Sequence, residues 1–177
     1  MPVIKVNDKE FEVYLSGEKI QERVKELAAL INKDYAGKRP LFIAILNGSF
    51  MFAADLFKNL EIDAEICFIK LASYKGMKSS GKVVTSIGLD EDLFGKDVII
   101  VEDIVDTGKT LHKFLPKLMH QQPASLKIVT LLHKAEATAY PLTLDYIGFV
   151  IPNKFVVGFG LDYDGLGRNY KEIYQLV

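Results

Sequence analysis

The residues best suited to chemistry lie in one stretch, Val98-Ile99-Ile100-Val101-Glu102-Asp103-Ile104-Val105-Asp106-Thr107-Gly108-Lys109-Thr110-Leu111. The apolar run Val98 to Val101 is the strongest strand signal in the chain, and the strand is expected to end with two adjacent carboxylates, Glu102 and Asp103. A small polar loop then opens a helix. Backbone N–H groups around Asp106 to Thr110, the positive end of the helix dipole and the Thr107 and Thr110 hydroxyls form a pocket suited to a phosphate. Gly108 allows the backbone a close approach. The acidic pair suits the two hydroxyls of a ribose diol, and can also help to position a metal. Two other readings compete. One is a helix N terminus capped by Asp106 or Thr107, with the acids merely solvated. The other, a Walker A loop ending in Gly108-Lys109-Thr110, fails on spacing, because Asp103 stands where its first glycine belongs.

The elements that must position this loop follow from the rest of the chain. Its 177 residues, 49% hydrophobic and 25% charged, predict a single domain spanning 1–177 with one buried core. A net charge of -1 argues against a nucleic-acid backbone as the main partner, since that binding draws on an excess of Lys and Arg. The single cysteine, Cys67, sits in the apolar run Ile66 to Ile69, so no intramolecular disulfide forms. There is no signal-peptide pattern at Met1 to Lys5 and no run of eighteen apolar residues, which makes the cytoplasm the expected location and a membrane partner unexpected. His112, His120 and His133 show no metal-binding spacing.

Residues 3–15 read as two short strands around Asn7-Asp8, followed by a helix capped by Ser16, running to about Tyr35 and stopped at Gly37. Its apolar stripe is Ile20, Val24, Leu27 and Ile31. Leu41 to Leu46 has no polar alternation, as expected of a strand covered on both faces. A short helix at about 50–59, a strand at about 64–71, a mobile loop at 73–82 and a strand at 83–87 come next. After the phosphate-loop strand, a helix from Gly108 to His120 is expected to kink or break early at Pro116, and Leu126 to Leu132 returns as a strand. This order predicts an α/β, doubly wound, mainly parallel sheet with ligands beyond the carboxyl ends of its strands. A small hood is expected from about 1–15 and 146–177.

As a whole, the 98–111 segment resembles the phosphoribosyl pyrophosphate (PRPP) binding motif of type I phosphoribosyltransferases. Further likeness lies in Leu71-Ala72-Ser73-Tyr74, His133-Lys134, Asn153-Lys154-Phe155-Val156-Val157-Gly158 and Leu161-Asp162-Tyr163, which point to the hypoxanthine-guanine branch. The resemblance covers about residues 10–170. It implies purine salvage, with PRPP and a 6-oxopurine base as substrates, Mg²⁺ as cofactor, and a homodimer or homotetramer. By the same resemblance Asp106 is the catalytic base facing N7 of the purine, and Glu102, Asp103, Ile104, Val105, Thr107, Gly108, Lys109 and Thr110 hold the sugar phosphate. Lys134 donates to O6 of the base, Phe155 stacks on it, and the backbone of Val156 and Asp162 meets its far edge. Asp162, with Glu102 and Asp103, is a metal ligand, Arg168 meets the pyrophosphate, and Ser73 and Tyr74 ride on a loop that closes over the site. Asn47-Gly48-Ser49 matches a pyrophosphate loop. Asn47 brings no charge where many relatives carry a basic residue, and a non-proline cis peptide is expected at Asn47-Gly48. Taken alone, Lys134, Asp162 and Arg168 read as surface charges and Phe155 as core. Two related activities also fit: a xanthine- or guanine-selective relative, and a PRPP-sensing regulator that binds nucleic acid on the same fold.

Overall fold

The computed structural model describes residues 3–73 and 83–177. The chain opens with β1 (Val3–Val6) and β2 (Lys9–Leu15), an antiparallel hairpin whose turn places Asn7 at φ 52°. Then come α1 (Gly17–Asp34), β3 (Leu41–Leu46), α2 (Phe50–Lys58), β4 (Glu65–Ser73) and β5 (Val83–Ile87). The second half contains β6 (Asp97–Val105), α3 (Lys109–Met119), β7 (Ser125–His133), β8 (Tyr146–Val150), β9 (Val156–Val157) and β10 (Ile173–Leu176). Of the expected closing loop at 73–82, Ser73 ends β4, and Tyr74 with the rest lies outside the described residues.

Among the described residues the main sheet has the order β5-β4-β3-β6-β7-β8, with β5 antiparallel to β4 and the other five strands parallel. The unbroken apolar strands follow from this placement. In β3, Phe42 and Ala44 pack with Ile20, Leu27 and Ile31 of α1 and Phe52 of α2, while Leu41, Ile43 and Ile45 pack with Leu111, Phe114 and Leu118 of α3. Period-two alternation thus feeds two cores, one on each face. Ser16 caps α1 as expected, its hydroxyl accepting from the Lys19 N–H at 3.3 Å.

Three expectations need correction. The strand before the Asp106–Thr110 loop does not end at Glu102 but continues to Val105, because its backbone stays paired with β7 through Ile104↔Leu132 and Val105↔His133. Backbone pairing is indifferent to the charge of the side chains. Pro116 does not break α3 early; the helix runs on to Met119. Proline removes one N–H donor, here in the last turn and on the exposed face, where a missing intrahelical bond costs least. Finally, 146–150 is not hood: β8 extends the main sheet beside β7. A parallel neighbour normally needs a crossover helix, and the irregular stretch 134–145 makes this crossover without one.

The smaller sheet has the order β1-β2-β10-β9 and its own cluster of Val6, Phe11, Val157 and Tyr174. Strand β10 was absent from the sequence reading. It lies between β2 and β9, joining the two ends of the chain.

Arg23 of α1 ties β8 to the helical layer, its Nε and Nη2 donating to the carbonyls of Gly148 and Ile147, each at 2.8 Å. Charge-assisted bonds to a partly buried edge strand predict that Arg23→Ala destabilises the fold by about 1–3 kcal/mol. Urea unfolding should show a lower midpoint at unchanged slope, and an unmoved midpoint would discard this tie.

Candidate active site

Strand β6 delivers Val105 to the carboxyl edge of the sheet, and α3 begins four residues later with Gly108 as its N-cap at φ 81°. That angle is one a β-carbon disfavours. A side chain there would also press on Leu142 and the Tyr140 carbonyl. The loop encloses a pocket of about 150 Å³ lined by Glu102 and by every residue from Ile104 to Leu111. The capped-helix reading holds in part, since the Thr107 hydroxyl accepts from the Lys109 N–H at 3.3 Å, while Asp106 is turned elsewhere.

Asp106 meets Lys134. Their Oδ2 and Nζ atoms lie 3.2 Å apart, with the Asp106 side chain half exposed and Lys134 only 6% exposed. A surface lysine is therefore not what the fold provides. A buried ammonium needs an anionic partner, and Lys134 finds one because its own N–H donates to the Val105 carbonyl at 2.9 Å, continuing the β6–β7 ladder beside the loop.

A second cluster forms on the other side of Glu102 and Asp103. Gly48 lies so close that a β-carbon there would overlap the Asp103 carboxylate, and one on Gly160 would overlap the Gly48 carbonyl. The cis peptide of this loop is Leu46–Asn47, one residue before the expected Asn47–Gly48. The Asn47 side chain is exposed. Arg168 donates from Nη1 to the Gly160 carbonyl at 2.7 Å and pairs through Nη2 with Asp162 Oδ1 at 2.9 Å. The other Asp162 oxygen accepts from the Gly165 N–H at 2.7 Å. Asp162 and Arg168, read separately from the sequence as metal ligand and pyrophosphate partner, are thus brought onto each other.

Phe155 is 43% exposed, edge-on to Tyr163 at 5.6 Å and tilted against Phe11 at 6.1 Å. Its carbonyl accepts from Leu176, so Phe155 and Leu176 form a hydrogen-bonded pair and the backbone groups of the next residue, Val156, face away from β10. Gly160 and Thr138, which bridges the two loops, escaped the sequence reading. Neither carries a local signal, since each acts through a neighbour distant in sequence.

The phosphoribosyl transferase domain model matches residues 12–164. A hypoxanthine-guanine phosphoribosyltransferase of Lactococcus lactis is 48% identical over 158 residues, which are 89% of this chain and 86% of the relative. This chain belongs to the hypoxanthine-guanine phosphoribosyltransferase family. The family's protein from Aquifex aeolicus is 38% identical over 97% of both chains. The crystal structure of a hypoxanthine phosphoribosyltransferase from Staphylococcus aureus superposes with a TM-score of 0.89 at 42% identity, covering 94% of this chain and 91% of that one.

In this member of the hypoxanthine-guanine phosphoribosyltransferase family the surroundings of the acidic pair favour the protonated form of both carboxyls. Burial, then the charge of Asp103, pushes the Glu102 carboxyl well above the usual range. Burial also raises Asp103, against hydrogen bonds from Glu102 and the Ile104 N–H and the nearby charge of Arg168. A carboxyl with a raised folded-state pKa favours the fold most below its unfolded pKa and loses that contribution as pH climbs toward the folded value. Glu102→Gln keeps a donor toward Asp103 without a titratable proton. In metal-free protein its thermal midpoint should therefore exceed wild type at pH 8 and converge with it at pH 4. An equal gap at both pH values would refute the raised pKa of Glu102.

Proposed function

We propose that this chain is a purine-salvage enzyme that transfers the phosphoribosyl group of PRPP to hypoxanthine, and also to guanine, giving IMP or GMP and pyrophosphate. The observation that carries the reading is the Asp106–Lys134 pair at the rim of the phosphate pocket. In the reaction N9 of the purine bonds to the ribose C1 as the bond from C1 to the pyrophosphate oxygen breaks, and the purine gives up a proton. Asp106, half exposed and held by Lys134, is the base that takes it. An ammonium has three donors, so Lys134 can serve Asp106 and O6 of the base together. Adenine has no acceptor at that position.

The 5-phosphate sits in the loop from Asp106 to Thr110, at the N terminus of α3. Glu102 and Asp103 accept from the ribose hydroxyls. Phe155 offers an exposed ring to stack on the base, and the outward backbone groups of Val156 meet its 2-position edge. Because that edge is read by backbone, guanine and xanthine are the natural competitors. The Gly48 turn and Arg168 lie where the pyrophosphate leaves.

The donors around this turn fit Mg²⁺. Glu102, Asp103 and Asp162 are hard oxygen ligands, and the charge of Asp103 adds to burial in raising Glu102. Among the described residues no three acidic, His or Cys side chains converge on one point. An ion held by one or two of these carboxylates would complete its shell with other oxygen donors such as water, as Mg²⁺ commonly does. When bound, it neutralises charge on the departing pyrophosphate.

Among the described residues no helix is long and apolar enough to cross a membrane. The cytoplasm suits a chain with one unpaired cysteine and a PRPP substrate. Phe50 and Phe68, 43% and 44% exposed over a groove with Phe57 and Ile66, support self-association as a dimer or tetramer.

Incubation with PRPP, Mg²⁺ and hypoxanthine, guanine, xanthine or adenine should yield nucleotide and pyrophosphate from the first two. Turnover of adenine alone would overturn the Lys134 assignment. Asp106→Asn should lower kcat by roughly 10²- to 10⁴-fold, the usual contribution of a general base, with PRPP affinity nearly unchanged. A kcat equal to wild type removes Asp106 from the mechanism.

A further inference from the structure

We infer that Thr138 is a positioning residue that sets both halves of the site at once, turning the phosphate-loop amides outward and holding Asp106 against Lys134. The inference rests on the proposed transferase reading. Thr138 lies in the irregular crossover between β7 and β8. Its Oγ1 stands 2.9 Å from the Asp106 carbonyl oxygen, 3.1 Å from the Lys134 carbonyl oxygen and 3.1 Å from His133 Nε2. The hydroxyl has one hydrogen. The Asp106 carbonyl is its nearest acceptor, and His133 in the Nε2–H tautomer supplies a donor to the same oxygen, leaving the hydroxyl hydrogen for the carbonyls.

The next two residues continue the grip. The N–H groups of Ala139 and Tyr140 donate to the Thr107 carbonyl at 3.0 and 3.1 Å. In a planar trans peptide the C=O and the following N–H point in opposite directions. Drawing the carbonyls of Asp106 and Thr107 toward residues 138–140 therefore turns the N–H groups of Thr107 and Gly108 the other way. The same hydroxyl bridges the backbones of Asp106 and Lys134, whose side chains meet at 3.2 Å. Thr138 has no part in the pocket lining, so its effect passes through the loop.

Thr138→Val keeps the shape and removes the hydroxyl; Thr138→Ser keeps the hydroxyl and removes the methyl. With hypoxanthine, Thr138→Val should raise the KM for PRPP about ten-fold, the loss expected for one hydrogen bond, and lower kcat. Thr138→Ser should stay within about two-fold of wild type on the same grounds. Thermal midpoints are measured alongside, and PRPP titration calorimetry reads the binding directly. If Thr138→Val does not fold, Thr138→Ala takes its place against the serine variant. Constants for Thr138→Val equal to wild type, or a serine variant as impaired as valine, would overturn the inference while an active wild type leaves the transferase reading standing. A wild type silent with every 6-oxopurine sinks that reading, and this inference with it.

Discussion

The site depends on the parallel pairing of β6 with β7 all the way to their carboxyl ends. Register Val105↔His133, extended by the Lys134 N–H to the Val105 carbonyl, brings the loops that follow β6 and β7 side by side. Asp106 and Lys134 are the first residues past that pairing. Their contact is a consequence of register: a slip of one residue would turn every side chain of β7 to the other face and leave Lys134 buried without a counter-charge. The double core guards against the slip, because Ile128 packs on the α3 face while Val129 and Leu131 pack on the other.

Charge is distributed around the loop with the same economy. On the β7 side a buried cation is matched by a half-exposed anion; on the β3 side a buried and a partly buried acid, both with raised pKa, stand beside Arg168. The first arrangement leaves a carboxylate facing solvent, available to a base, while the second concentrates acceptors where a sugar and a metal would be neutralising. Neither cluster is an ordinary stabilising ion pair, since buried charges often cost more in desolvation than their attraction returns. Their concentration at the carboxyl end of the sheet is what marks the region as chemical.

Much of this was legible from residues 98–111 alone. The strand signal, the acids and the Gly108 turn are local features, governed by backbone preference and side-chain type, and a pocket lies where they place one. The hypoxanthine-guanine likeness was carried by short segments such as His133-Lys134. What stayed hidden was set by partners distant in sequence. Strand β6 ran on past its acids because β7 was there to pair with, and β8 joined the main sheet without a helix to announce it. Lys134 is buried only because Asp106, 28 residues away, receives it. The mutual pairing of Asp162 with Arg168 likewise needs the tight Gly165 turn between them.

The contact of Gly48 with Asp103 explains how the two clusters are kept one backbone apart. With no side chain at Gly48, the β3–α2 turn seats directly on the carboxylate, and Gly160 then seats on the Gly48 carbonyl. Three segments, from β3, β6 and the 158–161 turn, are stacked, with the Asp103 carboxylate against Gly48 and the Gly48 carbonyl against Gly160. Arg168 closes the stack by donating to the Gly160 carbonyl from the far side. A site assembled this way has few side-chain rotamers left to order when a ligand arrives, so less of the binding energy is lost to entropy. Its backbone amides and carboxylates are held in place by close packing before the substrate is present, which is the condition under which fixed dipoles and charges stabilise a transition state most.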